Sequence, residues 1–143
     1  MPEPALSLRV MPRASSCRAA RERIVAYCHT KGVAQEDIAY LLTAVGEALA
    51  NAIEHGHSGR PIELTVRVSS DRVVATIRDG GVGFRTEPAS ATLLPGAEAE
   101  RGRGLAIMRR CSDMFSIASL PGGGTVVTIG RYLRRHELLG ATG

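Results

Sequence analysis

The sequence of 143 residues contains no tryptophan, three tyrosines and two phenylalanines. Proteins that bind single-stranded nucleic acid usually stack bases on aromatic side chains, and this chain has few to offer. No run approaches the roughly 20 consecutive apolar residues that a membrane-spanning helix requires. The first ten residues also lack the basic and then apolar pattern of a secretion signal. We therefore predict a soluble, cytoplasmic protein without a membrane or nucleic-acid partner.

Cysteine is scarce and irregularly placed. Cys17, Cys28 and Cys111 are odd in number and form no Cys-x-x-Cys pair, which argues against a disulfide framework or a redox motif. The four histidines show no ligand spacing, so a zinc site is not expected. We interpret the cysteines as small buried side chains.

Lysine is almost absent, because Lys31 is the one lysine among 18 basic residues. The 14 acidic residues leave a net charge of +4, a balance that suits nucleic acid or an acidic protein surface. The arginines are scattered along the chain, and we interpret most of them as solvated surface charge. Nucleic-acid binding stays an alternative that rests on this charge alone, and salt-sensitive binding would reveal it.

Length and composition predict a single domain over residues 1–143, with its core at about 5–133 and a flexible tail at 134–143. Hydrophobic residues make up 44% of the chain, an ordinary globular value. Alternating apolar residues predict a first strand at 6–10, one hairpin at 62–68 and 73–77, and a last hairpin at 115–119 and 127–129.

Helical periodicity predicts three helices. The first covers about 17–29 with Ser15 or Ser16 as its cap, and the second starts at Asp37, an N-cap candidate, and ends at Gly56. Between Arg85 and Arg103 periodicity is lost and prolines and glycines intervene, Pro95 and Gly96 among them, which predicts a long mobile loop, either a functional lid or a disordered connector. Helical spacing resumes from Gly104 to Cys111.

The second helix carries three polar residues, Glu47, Asn51 and Glu54, on the face opposite its apolar stripe. Taken alone, that face is typical of any amphipathic helix in water. Two glycine clusters flank the predicted loop, Gly80-Gly81-Val82-Gly83 before it and Gly102-Arg103-Gly104 after it. Glycines allow backbone N–H groups to approach phosphate oxygens, although turns explain either cluster equally well. Neither cluster has the Walker A or the Rossmann spacing.

The order of these motifs is more informative than any one of them. Glu47-Ala-Leu-Ala-Asn51-Ala-Ile-Glu54-His55-Gly56 resembles the N box of the Bergerat-fold ATPases, the superfamily of gyrase, Hsp90, histidine kinases and MutL. Asp79-Gly80-Gly81-Val82-Gly83-Phe84 resembles its G1 box, Gly102-Arg103-Gly104-Leu105 its G2 box, and Gly124-Thr125 its last nucleotide-binding element. In its small size and in the residue sequence of its N box, the chain is similar to the anti-sigma factor serine kinases of bacterial partner-switching systems.

That resemblance implies an α/β (α+β) two-layer sandwich, in which a mixed, mostly antiparallel sheet has its helices on one face. It implies Glu47 as the base that accepts the proton of a substrate serine, and Asn51 as a ligand of Mg²⁺. Asp79 would accept a hydrogen bond from the adenine amino group of ATP, with support from Thr125. The loop residues implied beside sugar, base and phosphates are Gly81, Gly83, Gly102, Arg103 and Gly104.

The family also implies partners, namely a sigma factor and an anti-anti-sigma protein of the STAS type, together with homodimerisation. Its members phosphorylate a serine of the anti-anti-sigma protein and sequester the sigma factor. The alternative is a non-catalytic binding module of the same fold that exchanges partners without phosphoryl transfer. The carboxylate of Glu47 favours the enzyme, because a pure binding module has no need of it.

Overall fold

The computed structural model describes residues 4–56, 59–80 and 95–133, and at 55–56 and 95–101 it describes the backbone alone. Within these residues there are five strands and three helices. In chain order they are β1 (Leu6–Val10), α1 (Ala14–Thr30), α2 (Gln35–Gly56), β2 (Ile62–Val68), β3 (Arg72–Asp79), α3 (Pro95–Arg110), β4 (Met114–Ser119) and β5 (Thr125–Tyr132).

The five strands form one sheet in the order β1-β2-β3-β5-β4, and each neighbouring pair is antiparallel. The expectation of a mixed sheet is therefore corrected for the described strands. Hairpins join β2 to β3 and β4 to β5, as their alternating sequences predict. Because β3 and β5 are antiparallel neighbours, the end of β3 lies opposite the start of β5.

One face of the sheet is covered by helices, as expected for the two-layer architecture. Successive strand residues point to opposite faces, and the residues that are buried all belong to one alternation, as in Leu64, Ile77 and Ile129. The long helix α2 packs on β3 and β5 and is flanked by α1 and α3. Residues of all three helices are fully buried in this core, among them Ile24, Leu41 and Met108.

The predicted helix ends differ from the observed ones. Helix α1 begins at Ala14, and its capping residue Arg13 makes no side-chain cap hydrogen bond, so the Ser15 or Ser16 cap is wrong. Helix α3 begins at Pro95, nine residues before the predicted start at Gly104. Proline is tolerated in a first helical turn, and the following Ala-Glu-Ala-Glu-Arg run has high helix propensity. The loop predicted over 85–103 therefore overlaps a helix.

The prediction that the cysteine side chains are buried is confirmed for two of the three. Cys28 and Cys111 are buried and Cys17 is half-buried, all three as free thiols. Burial raises the pKa of the Cys28 thiol to about 11. That thiol is therefore protonated and unreactive near neutral pH. Across the part of the chain that the structure describes, no helix is both long and apolar enough to cross a membrane.

Candidate functional site

Two polar side chains of α2 meet a glycine of α3. Glu47 and Asn51 lie one helical turn apart, and both are half-buried. A Cβ atom placed on Gly104 would lie 3.3 Å from Oε2 of Glu47 and 3.8 Å from both Oδ1 and Nδ2 of Asn51. The carboxylate and the amide therefore converge on one point, and the missing side chain at Gly104 leaves them the room to do so.

A buried ion pair fixes where α2 lies on the sheet. Arg131, near the end of β5, donates from Nε and Nη2 to Oδ1 of Asp37 at 3.1 and 2.9 Å. From Arg131 back to Thr125 the strand spans about 20 Å, and from Asp37 to Asn51 the helix rises about 21 Å. Asn51 therefore lies roughly level with the start of β5, at the same end of the sheet as the predicted adenine contacts.

Asp79 and Thr125 form that end of the sheet. They are directly paired across β3 and β5, so their side chains project from the same face. Two residues away on each strand, Ile77 and Val127 are buried under the helices, so this is the helical face. Thr125 is itself buried at 8% exposure and Asp79 is half-buried. The structure thus brings Asp79 and Thr125 together on the face of the sheet on which α2 packs.

Gly124 lets the two strands close tightly at this point. Its φ is +102°, a conformation that L side chains rarely adopt, and a Cβ there would lie 2.5 Å from the carbonyl oxygen of Asp79. Replacement by any other residue requires the end of β3 to move.

We expect Gly124→Ala to lower the free energy of unfolding by about 1–3 kcal/mol and to weaken nucleotide binding, because Asp79 must shift. Urea denaturation and calorimetric titration with Mg·ATP measure the two effects. Gly122 is the matched control: its φ is +84°, and a Cβ there would meet nothing within 4 Å. Gly122→Ala should cost less stability and leave nucleotide affinity unchanged, and equal effects of both variants on affinity would contradict this role for Gly124.

The glycines of the predicted loop have different outcomes. Gly81 and Gly83 lie outside the described residues. Gly102 and Arg103 are exposed, whereas Gly104 is buried against α2, and all three lie inside α3. The prediction that Gly104 opens a helix is therefore wrong. A helix uses interior N–H groups for its own hydrogen bonds, so backbone contacts from Gly102 and Gly104 to phosphates require α3 to begin later than it does here.

Arg131 is the residue that sequence reasoning misjudged most. We expected solvated charge there and an N-cap at Asp37, yet the two are 7% and 3% exposed. Arg131 also donates from Nη1 to the carbonyl oxygen of Cys111 at 2.9 Å, and its guanidinium lies 4.4 Å from the centroid of the Tyr40 ring. One signal was available: Arg131 shares the strand alternation of Val127 and Ile129, which predicts a buried position.

The sequence matches the histidine kinase-like ATPase domain family over residues 10–130. The chain belongs to this family. The resemblance to Bergerat-fold ATPases and the histidine-kinase-like ATPase fold are thereby confirmed, and membership supports the use of ATP.

Relatives of this ATPase-family chain include the anti-sigma F factor of Bacillus cytotoxicus, which is 33% identical over 84% of the chain and 86% of the relative. The anti-sigma F factor of Thermoanaerobacter sp. (strain X514) is 27% identical over 90% of the chain and 93% of the relative. Both alignments run nearly end to end, so the similarity is not confined to the nucleotide-binding motifs.

Two solved structures share the fold. The structure of the RsbU and RsbW domains of Rv1364c from Mycobacterium tuberculosis superposes with a TM-score of 0.69 and 22% identity, over 92% of this chain and 33% of that one. The SiaB-SiaC complex from Pseudomonas aeruginosa gives a TM-score of 0.62 and 14% identity, over 87% of this chain and 88% of the other.

Proposed function

We propose that this chain is an anti-sigma factor that sequesters a sigma factor and uses Mg·ATP to phosphorylate a serine or threonine of an anti-anti-sigma protein of the STAS type. The observation that carries the proposal is the convergence of Glu47 and Asn51 on Gly104. The similarity to anti-sigma F factors supports the part of the proposal in which the chain sequesters a sigma factor.

Glu47 is the proposed general base. Its carboxylate accepts the proton of the substrate hydroxyl while the hydroxyl oxygen forms a bond to the γ-phosphorus of ATP. The bond between the γ-phosphorus and the oxygen that bridges the β- and γ-phosphates breaks, and ADP leaves. A carboxylate positioned in this way contributes about 10²–10⁴-fold to a rate. Phosphoryl transfer otherwise requires positioning and charge neutralisation more than covalent help from the protein.

Asn51 is the proposed protein ligand of Mg²⁺, which supplies charge neutralisation between the phosphates when it is bound. Within the described residues, no three His, Cys, Asp or Glu side chains come together as a cage for a metal. Mg²⁺ usually binds through one or two protein oxygens together with substrate phosphates and water. A single amide oxygen, half-buried and beside the bare backbone of Gly104, fits that donor set.

The base of the nucleotide is proposed to lie against Asp79 and Thr125. A carboxylate accepts a hydrogen bond from the adenine amino group, and guanine has no donor at the equivalent position, so we expect ATP to be preferred over GTP. Gly81 and Gly83 are proposed beside the base and sugar, and Gly102, Arg103 and Gly104 beside the phosphates.

We expect Asn51→Ala to weaken binding of Mg·ATP by about tenfold or more, because the variant loses a ligand of the metal. Calorimetric titration with ATP should show this loss in the presence of Mg²⁺ and a much smaller one in excess EDTA. Equal losses with and without the metal would contradict the assignment of Asn51 to Mg²⁺. Ala50→Ser, an exposed change on the same helix, serves as the control.

The function is tested by incubating the chain with γ-labelled ATP, Mg²⁺ and its cognate anti-anti-sigma protein. Transfer of label to a serine or threonine of that protein is the expected result. Absence of transfer where ATP binds would leave the non-catalytic binding module as the function. Co-elution with the cognate sigma factor on size-exclusion chromatography tests whether the chain sequesters that factor. The proposed role places the chain in the cytoplasm, and homodimerisation is proposed from the family.

A further inference from the structure

A second concave site lies on the face of the sheet that no described helix covers. A cavity of about 460 Å³ is bordered by three arginines, Arg9, Arg60 and Arg78, together with Glu63, Leu120 and, at the end of β3, Asp79 and Gly80. Its volume falls within the range of specific ligand sites, roughly 300–1,000 Å³. We call it the basic cavity. Arg9, Glu63 and Arg78 alternate along their strands with buried residues, so their side chains point away from the helical layer.

The three strand residues form one row across the sheet. Arg9 on β1 pairs with Glu63 on β2, and Glu63 pairs with Arg78 on β3. Neighbouring strands are about 4.8 Å apart, which places the backbones of the two arginines about 10 Å from each other with the carboxylate between them. Arg60 closes the cavity from the loop before β2, where its Cδ would lie 3.0 Å from a Cβ on Gly80.

The guanidinium groups of Arg9 and Arg78 have no charged partner among the described residues. Both are exposed, and among the described residues neither forms an ion pair within 4.0 Å or a side-chain hydrogen bond. Glu63 is likewise exposed and unpaired there. Guanidinium groups recognise carboxylates and phosphates through paired hydrogen bonds. The basic cavity therefore offers two anion-binding groups held at a fixed spacing by rigid strands.

The surface beside the cavity indicates what kind of molecule fits. The same row continues through Val126 on β5 to Ala118 on β4, where the side chains are small. Ala118 is exposed and Val126 half-buried, so a flat, weakly apolar surface adjoins the arginines. A small anion would use the cavity alone. A protein segment would cover both parts, as interfaces combine an apolar centre with arginine anchors.

We propose that the basic cavity is a docking site for an acidic segment of a protein partner. Arg9 and Arg78 bind carboxylates of the segment, and Glu63 accepts a hydrogen bond from an N–H group between them. The side chains of Arg9, Glu63 and Arg78 point away from the helical face that carries Glu47 and Asn51, and the basic cavity meets the proposed adenine-binding end of the sheet at Asp79. Binding of an acidic segment requires neither ATP nor phosphoryl transfer, so it is measured in the absence of nucleotide.

The test is fluorescence anisotropy of a labelled hexaglutamate peptide titrated with the whole chain at low salt. Arg9→Ala and Arg78→Ala should each weaken binding by about tenfold, as expected when a charge-assisted hydrogen bond is lost. Glu63→Gln should strengthen binding, because it removes the carboxylate between the two arginines that repels the peptide, while the amide oxygen can still accept the hydrogen bond. Arg23→Ala, at an exposed position of α1, removes the same charge elsewhere and should change affinity less than twofold.

Several results would overturn the proposal. No peptide binding would do so, as would equal losses in Arg9→Ala and Arg23→Ala, which would indicate non-specific attraction to net charge. Citrate or inorganic phosphate that binds as tightly as the peptide would indicate a small-anion site. Sedimentation showing a dimer that Arg78→Ala disrupts would assign the surface to a second copy of the chain. Circular dichroism of each variant confirms that it is folded.

Discussion

Replacing Glu47 by alanine should lower the rate of phosphoryl transfer to the anti-anti-sigma protein by about 10²–10⁴-fold, the usual contribution of a general base. Affinity for Mg·ATP should change by less than about threefold, because Asn51, Asp79 and Thr125 keep their places. The physical reason is the position of the carboxylate, half-buried in α2 and facing the bare backbone of Gly104. Single-turnover transfer assays and calorimetric titration measure the two quantities separately.

Glu54→Ala is the matched control for Glu47. Glu54 lies on the same helix two turns further on, but it is exposed, so its loss should leave the transfer rate nearly unchanged. Glu47→Gln keeps the size of the side chain and removes its basicity, and it should be nearly as slow as Glu47→Ala. A Glu47→Gln variant with the wild-type rate would show that the carboxylate only positions the substrate.

Asp37→Ala should lower the free energy of unfolding by about 3–5 kcal/mol, because it leaves the guanidinium of Arg131 buried without its counter-charge. Arg131 is 7% exposed, and Asp37 accepts two of its three hydrogen bonds on one oxygen. The same guanidinium bonds to Cys111, just beyond the end of α3. Loss of the pair should therefore loosen both helices that carry the site, and urea denaturation monitored by circular dichroism measures the change.

A double variant separates the charge from the packing. Asp37→Ala combined with Arg131→Met removes both charges and should be more stable than Asp37→Ala alone, since an apolar replacement of a whole buried pair is often well tolerated. The exposed pair of Asp71 and Arg72, joined at 3.0 Å, is the control, and Asp71→Ala should change stability little. Similar effects of Asp37→Ala and Asp71→Ala would contradict a structural role for the buried pair.

The sequence alone predicts most of the fold, because strands and helices are encoded by the spacing of apolar residues within each segment. Strict alternation in 62–68 and 73–77 specifies two strands and the face that each one buries, and the structure confirms both. The strong apolar stripe of α2 likewise predicts a helix that ends at Gly56. The site residues were predicted from the order of the motifs, since Glu47 and Asn51 on α2, Asp79 on β3 and Thr125 on β5 lie in three segments whose proximity no local pattern reveals.

Two features could not be predicted from local patterns. The pairing of Asp37 with Arg131 joins residues 94 positions apart, and each has an ordinary local interpretation, an N-cap for one and a surface charge for the other. Helix α3 begins early, at Pro95, a residue compatible with a first helical turn, whereas the loss of periodicity over 85–103 predicted a loop. In both cases the tertiary context decided between two interpretations that the sequence allows.

The most direct test of the proposed function is intact-mass spectrometry of the cognate anti-anti-sigma protein after incubation with Mg·ATP and this chain. We expect a mass gain of one phosphoryl group, mapped to one serine or threonine, with the wild type and not with Glu47→Ala. An unmodified anti-anti-sigma protein, in a reaction where calorimetry shows that the chain binds Mg·ATP and its protein partner, would contradict the kinase assignment.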